Sequence, residues 1–101
     1  MKIVNKNEFD TIVKNGLVLV DFFANWCGPC KMMSPVLEEV EKEVDGLIVV
    51  KVDTDKEGEL ALKYGVQSIP NMILFKDGTP VDQVIGFTPK ETMIEKINSY
   101  K

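Results

Sequence analysis

Cys27 and Cys30 stand three residues apart in the segment Trp26-Cys27-Gly28-Pro29-Cys30-Lys31. A Cys-x-x-Cys pair has three chemistries: half of a zinc site, a covalent staple, or a dithiol that exchanges with other disulfides. The chain holds no other cysteine and no histidine. A tetrahedral zinc therefore lacks two ligands within one chain, and only a metal bridged between two chains stays open. A staple across so short a loop removes little entropy from the unfolded chain. A chain of 101 residues also buries enough surface to fold without one. The missing histidine further excludes Cys–His and Ser–His catalysis and imidazole switching. Exchange between thiols and disulfides is the chemistry that fits, and the elements around the pair support it.

Those elements must place the two sulfurs differently. The run Leu17-Val18-Leu19-Val20-Asp21-Phe22-Phe23-Ala24 is almost wholly apolar and predicts a strand covered on both faces. Beyond the motif, Cys30, Met33, Leu37, Val40 and Val44 recur three and four apart and predict a helix over about 30–44. Cys27 then sits at a helix N-terminus and Cys30 one turn inside. Residues three apart on a helix have Cα atoms about 5 Å apart, which a disulfide tolerates. Unpaired N–H groups and the helix dipole favour a thiolate at Cys27. Cys27 is thus expected as the exposed nucleophile and Cys30 as the buried resolving thiol. Pro29 suits the first helical turn, whereas Pro35 falls inside the helix and predicts a kink.

Two charges interrupt apolar strands. Asp21 follows four apolar residues, and Lys51 follows Leu47-Ile48-Val49-Val50. Either each marks a strand end, or the two pair behind the sulfurs. In the second case a desolvated Asp21 has a raised pKa and takes the proton from Cys30 as that thiol resolves an intermediate.

The remaining signals complete an alternating pattern. Asn5 and Glu8 open a helix that buries Phe9, Ile12 and Val13. Leu47–Asp53 reads as a strand and 57–64 as a short helix. Met72–Phe75 and Val81–Ile85 read as strands joined through Lys76-Asp77-Gly78-Thr79. Thr88-Pro89-Lys90-Glu91 opens the last helix, with threonine as its cap. The pattern is one α/β domain over residues 1–101. At 45% hydrophobic and 28% charged the composition is that of a soluble globular protein. The net charge is −4 and no basic stripe is present, so nucleic acid is not an expected partner. No apolar run is long enough to cross a membrane, and the first residues are not those of a signal peptide. The expected compartment is the reducing cytoplasm.

In order and at family spacing, Val20-Asp21-Phe22-Phe23-Ala24, Trp26-Cys27-Gly28-Pro29-Cys30-Lys31, Lys51-Val52-Asp53, Ser68-Ile69-Pro70 and Gly86 make this chain resemble the thioredoxin family over essentially its whole length. The resemblance implies a central mixed β-sheet flanked by helices on both faces. It implies a monomeric thiol–disulfide oxidoreductase that reduces target proteins through Cys27 and Cys30, with Asp21 and Lys51 behind them. No bound cofactor or metal is needed, and a thioredoxin reductase restores the dithiol. The resemblance also implies a cis Ile69–Pro70 bond. Trp26, Gly28, Pro29, Ile69, Pro70 and Gly86 would form the contact surface, with the Ile69 backbone docking an extended target segment. Two positions depart from the family pattern: Phe23 stands where many members carry tryptophan, and Asn71 where threonine is common. The rival readings are a disulfide oxidase or isomerase of the same fold, and a binding subunit that uses the surface around Trp26 without electron transfer.

Overall fold

The apolar runs become strands and the three-and-four spacings become helices, in the expected order. A computed structural model describes residues 1–101. Its elements are β1 (Lys2–Ile3), α1 (Lys6–Ile12), β2 (Leu17–Phe23), α2 (Gly28–Glu43), β3 (Leu47–Asp53), α3 (Gly58–Lys63), β4 (Asn71–Lys76), β5 (Thr79–Ile85) and α4 (Lys90–Asn98). The five strands form one sheet in the order β1-β3-β2-β4-β5. β3 pairs in parallel with β1 and β2, while β4 pairs antiparallel with both β2 and β5. The sheet is therefore mixed, with β3, β2 and β4 in its interior.

Alternation along the strands sorts the core into two layers. Val18, Val20, Phe22, Val50, Val52, Ile73 and Phe75 pack with Phe9 and Val13 beside α1 and with Leu60 and Ala61 of α3. Leu19, Val49, Met72 and Leu74 pack with Met33, Leu37 and Val40 of α2 and with Met93 and Ile97 of α4. Burial on both faces explains why β2 reads as an unbroken apolar run.

Local chemistry sets the element ends. Asn5 and Glu8 form a complete capping box: the Asn5 side chain accepts from the Glu8 N–H and the Glu8 carboxylate accepts from the Asn5 N–H. The turn between β4 and β5 places Asp77 and Gly78 at φ +49° and +87°, the left-handed pair that a two-residue hairpin requires. Pro35 lies inside α2, which runs as one element to Glu43. Two expectations need correction. α2 begins at Gly28, because Gly28 and Pro29 already occupy its first turn and Cys27 is the N-cap. Thr88 does not cap α4: Pro89 is the N-cap residue and no side chain caps it. The Thr88 hydroxyl donates to the Gly86 carbonyl at 3.2 Å, and its N–H lies 3.5 Å from the Met33 sulfur. A capping hydroxyl would accept from a first-turn N–H; that of Thr88 accepts none and instead closes a turn with the carbonyl two residues back.

The C-terminal ends of the parallel strands β2 and β3 lie side by side, with Phe23 in register with Asp53. β2 leads through four residues into α2. The motif is thereby carried to the open edge beyond two interior strands, where ligands meet α/β sheets.

Candidate active site

Cys27 is the N-cap of α2 and its backbone is extended, at φ −89° and ψ +110°. This conformation turns its sulfur back over the first turn, where the Cys30 N–H points at Cys27 Sγ from 3.2 Å. The two sulfurs are joined as a disulfide, with Cα atoms 5.3 Å apart. The donor that faces Sγ in the disulfide also faces a thiolate once the bond is reduced. Together with the helix dipole, it favours the anion at Cys27.

The expected contrast in exposure is corrected. Cys27 is only 5% exposed and Cys30 2%. Cys27 packs with Phe23, Ala24 and Cys30, and Ile69 closes over this cluster. Its Sγ lies 3.8 Å from the Ile69 carbonyl oxygen. The loop carrying Ile69 covers the sulfur, which helix geometry alone does not show. The asymmetry survives in what faces each sulfur. Beside Cys27 lies the exposed rim, with Trp26 71% exposed and Gly28 and Pro29 open to solvent. Cys30 lies in the buried cluster with Phe23 of β2 and Ala24.

Of the contact residues named from the sequence, Ile69 packs on Cys27, and Pro70 and Gly86 are bonded to each other. The Ile69–Pro70 bond is cis, Pro70 is buried and Ile69 half-buried. The Gly86 N–H donates to the Pro70 carbonyl at 2.8 Å, tying the start of β4 to the end of β5. Gly86 has φ +87°, a backbone region that favours glycine. Trp26 is anchored: its indole N–H donates to an Asp55 carboxylate oxygen at 3.0 Å. Asp55 in turn donates its backbone N–H to the Asp53 carboxylate, which also accepts from the Asn25 amide.

Asp21 shares a face of β2 with Phe23, which packs with the cysteines. It is fully buried, and neither carboxylate oxygen has a hydrogen-bond partner. Desolvation pushes its pKa up to about 6, with Lys51 pulling in the other direction. The strand register sets Asp21 directly beside Lys51, but they form no ion pair, and the expectation of a paired Asp21 and Lys51 is corrected. The Lys51 ammonium donates to Ser34 Oγ at 2.8 Å and lies 4.3 Å from the centre of the Phe23 ring. A hydroxyl from α2 and an aromatic face compete with the carboxylate for the ammonium. Phe23, Ala24, Asn25, Cys30, Lys31, Ser34 and Lys51 line a crevice of about 70 Å³ that reaches Cys30 from outside.

Sequence reasoning missed Ser34 and Asp55. Ser34 lies one helical turn beyond Cys30, so i+4 spacing points to it once the helix is placed. Asp55 carries no such signal, because its contact with Trp26 depends on how the loop after β3 folds back.

A Cys-x-x-Cys pair at a helix N-terminus is chemistry for moving two electrons between sulfurs. Relatives carry the same arrangement of sequence and fold. The thioredoxin family model matches residues 1–99. A thioredoxin from Chlamydia caviae is 49% identical over 100 residues, covering 99% of this chain and 98% of its own length. Two solved structures superimpose closely. A mutant thioredoxin from Halobacterium salinarum has TM-score 0.92 and 38% identity, covering 99% of this chain and 88% of that one. Thioredoxin from Plasmodium falciparum has TM-score 0.91 and 39% identity over the full length of both. Full-length agreement in sequence and topology leaves one assignment: this chain belongs to the thioredoxin family and is a thiol–disulfide oxidoreductase that reduces disulfides in proteins.

Proposed function

We propose that the two cysteines divide the reaction between them, with Asp21 serving Cys30. The Cys27 thiolate attacks one sulfur of a target disulfide. A mixed disulfide forms and the other target sulfur leaves as a thiolate, which takes up a proton. Cys30 then loses its proton to Asp21 and attacks Cys27. The Cys27–Cys30 bond forms, the mixed disulfide breaks, and the target leaves with both sulfurs reduced. Two electrons pass from the cysteine pair to the target.

The observation that carries this reading is the N-cap geometry. The Cys30 N–H faces Cys27 Sγ, and the buried Asp21 carboxylate has no hydrogen-bond partner. Trp26, Gly28, Pro29, Ile69, Pro70 and Gly86 frame the surface on which an extended target segment docks. Lys51 tunes the carboxylate. The protein works as a single-domain monomer in the cytoplasm, and a thioredoxin reductase returns it to the dithiol. The Gly-Pro pair between the cysteines favours net reduction over the oxidase or isomerase role.

Cys30→Ser should accumulate a mixed disulfide between Cys27 and target proteins and lose steady-state turnover. Turnover at the parent rate would overturn the two-cysteine mechanism. Replacing both cysteines with serine should abolish the biological effect, whereas a binding subunit would keep it.

A further inference from the structure

We propose that Ser34 is a positioning residue for the proton transfer: its hydroxyl holds the Lys51 ammonium off Asp21 and leaves that carboxylate without a counterion. This rests on the reading of Asp21 as the acceptor of the Cys30 proton.

The argument begins with register. Asp21 and Lys51 are directly paired residues on adjacent parallel strands, so their side chains leave the same face of the sheet about 5 Å apart. A lysine in that place has an obvious partner in a fully buried carboxylate. Yet both oxygens of Asp21 are unpartnered, and the ammonium is bound to Ser34 Oγ at 2.8 Å. The directions agree with this. The Ser34 hydroxyl donates its own hydrogen to the Cys30 carbonyl at 3.4 Å, leaving its lone pairs to accept from Lys51. The Phe23 ring face supports the ammonium in the same place. Serine at 34 therefore ties three things together: the backbone of the resolving cysteine, the lysine, and the wall of the crevice that reaches Cys30.

No other charge competes for this effect on the carboxylate. Lys51 is the one charged group that shifts Asp21. Met72 of β4, Met33 and Leu37 of α2, and Met93 and Ile97 of α4 line the same side of the sheet and are uncharged. Asp53, next on that face of β3, is held by Asn25 and the Asp55 N–H. Lys31 borders the crevice at its outer wall. The cysteines do not titrate while they are joined.

Removing the hydroxyl frees the ammonium to turn to the carboxylate, which stabilises the ionised form. Asp21 then becomes a weaker base at neutral pH.

The direct test is carbon NMR titration of the Asp21 carboxyl in the oxidised protein. Ser34→Ala should lower its midpoint by about 1 pH unit, the size expected when an opposite charge moves into contact. Ser34→Thr keeps a hydroxyl and should retain the parent midpoint. In a Lys51→Met background, Ser34→Ala should have no further effect. An unshifted midpoint in Ser34→Ala, or a shift that persists without Lys51, overturns the proposal. The pH profile of mixed-disulfide resolution separates the two readings. A shifted Asp21 titration with an unchanged profile upholds the Ser34 clamp and removes Asp21 from the proton transfer.

Discussion

The same interior strands build two very different faces of the sheet. Under α1 and α3, β2 presents Val18, Val20 and Phe22, and β4 adds Ile73 and Phe75. Phe9, Tyr64 and Phe75 pack edge to face there, with ring centres 5.4–5.7 Å apart. Under α2 and α4 the strand residues between these are Leu19, Asp21 and Phe23 on β2 and Val49, Lys51 and Asp53 on β3. That face begins apolar and becomes charged toward the C-terminal strand ends. One face does nothing but exclude water. The other spends part of its burial on a carboxylate that no group satisfies. A buried, unpartnered acid is costly, so the closed face must supply stability that the reactive face gives up.

This contrast predicts where substitutions act. The largest effect should come from the closed face. Phe75→Ala removes a fully buried ring and should destabilise by about 3–5 kcal/mol. Denaturant unfolding of the oxidised protein measures it. The rate at which folded, reduced Cys27 reacts with a small disulfide should stay at the parent value. A comparable loss in that rate would show that the faces are not separable.

Asp21→Asn should move stability the other way. The folded carboxyl titrates at about 6 against an ordinary value of 3.8. Between those values the folded state holds the proton that the unfolded chain releases, so stability falls as pH rises from about 4 to 6 and is level above. The total is about 3 kcal/mol at pH 7. Asparagine has no such slope, so Asp21→Asn should be more stable at pH 7 by up to that amount and equal to the parent below pH 4. Resolution of the mixed disulfide should slow while the first attack does not. A parent-like stability profile in Asp21→Asn would mean that the carboxylate is better solvated than its burial indicates.

Smaller effects sharpen the contrast. Asn5→Ala, which breaks the capping box of α1, should cost about 1 kcal/mol and leave every kinetic step unchanged. Asp55→Ala should do the reverse. Freeing the Trp26 indole should raise KM for a protein disulfide severalfold, with no change in melting temperature or in reaction with a small disulfide. Unchanged KM in Asp55→Ala would mean that Trp26 needs no anchor to present its surface.

Much of the fold was legible because periodicity reports burial directly. The doubly covered run 17–24 and the three-and-four spacing from Cys30 onward can be satisfied only by an interior strand and a helix packed on it. The cap at Asn5 and the turn at Asp77-Gly78 were legible for a local reason, since both close within four residues. Thr88 misled because its hydroxyl donates to the Gly86 carbonyl two residues back and accepts from no helix N–H. At the site, the Cys27 N-cap followed from the order of strand, motif and helix. The cover that Ile69 gives to Cys27 comes from a residue 42 positions away and left no trace in local pattern.

The sequence by itself determined the chemistry: two thiols at a helix start, an acid and a lysine in apolar strands, and no histidine to compete with them. Spacing along one chain suffices for that, because helix and strand geometry are fixed by the backbone. Only the tertiary structure decided how the charges are partnered. Asp21 and Lys51 are neighbours by register, yet the ammonium goes to Ser34 and Phe23 and the carboxylate is left alone. That outcome is a competition between acceptors brought together from β2, β3 and α2, and it is settled by distances of an ångström or two that no sequence pattern encodes.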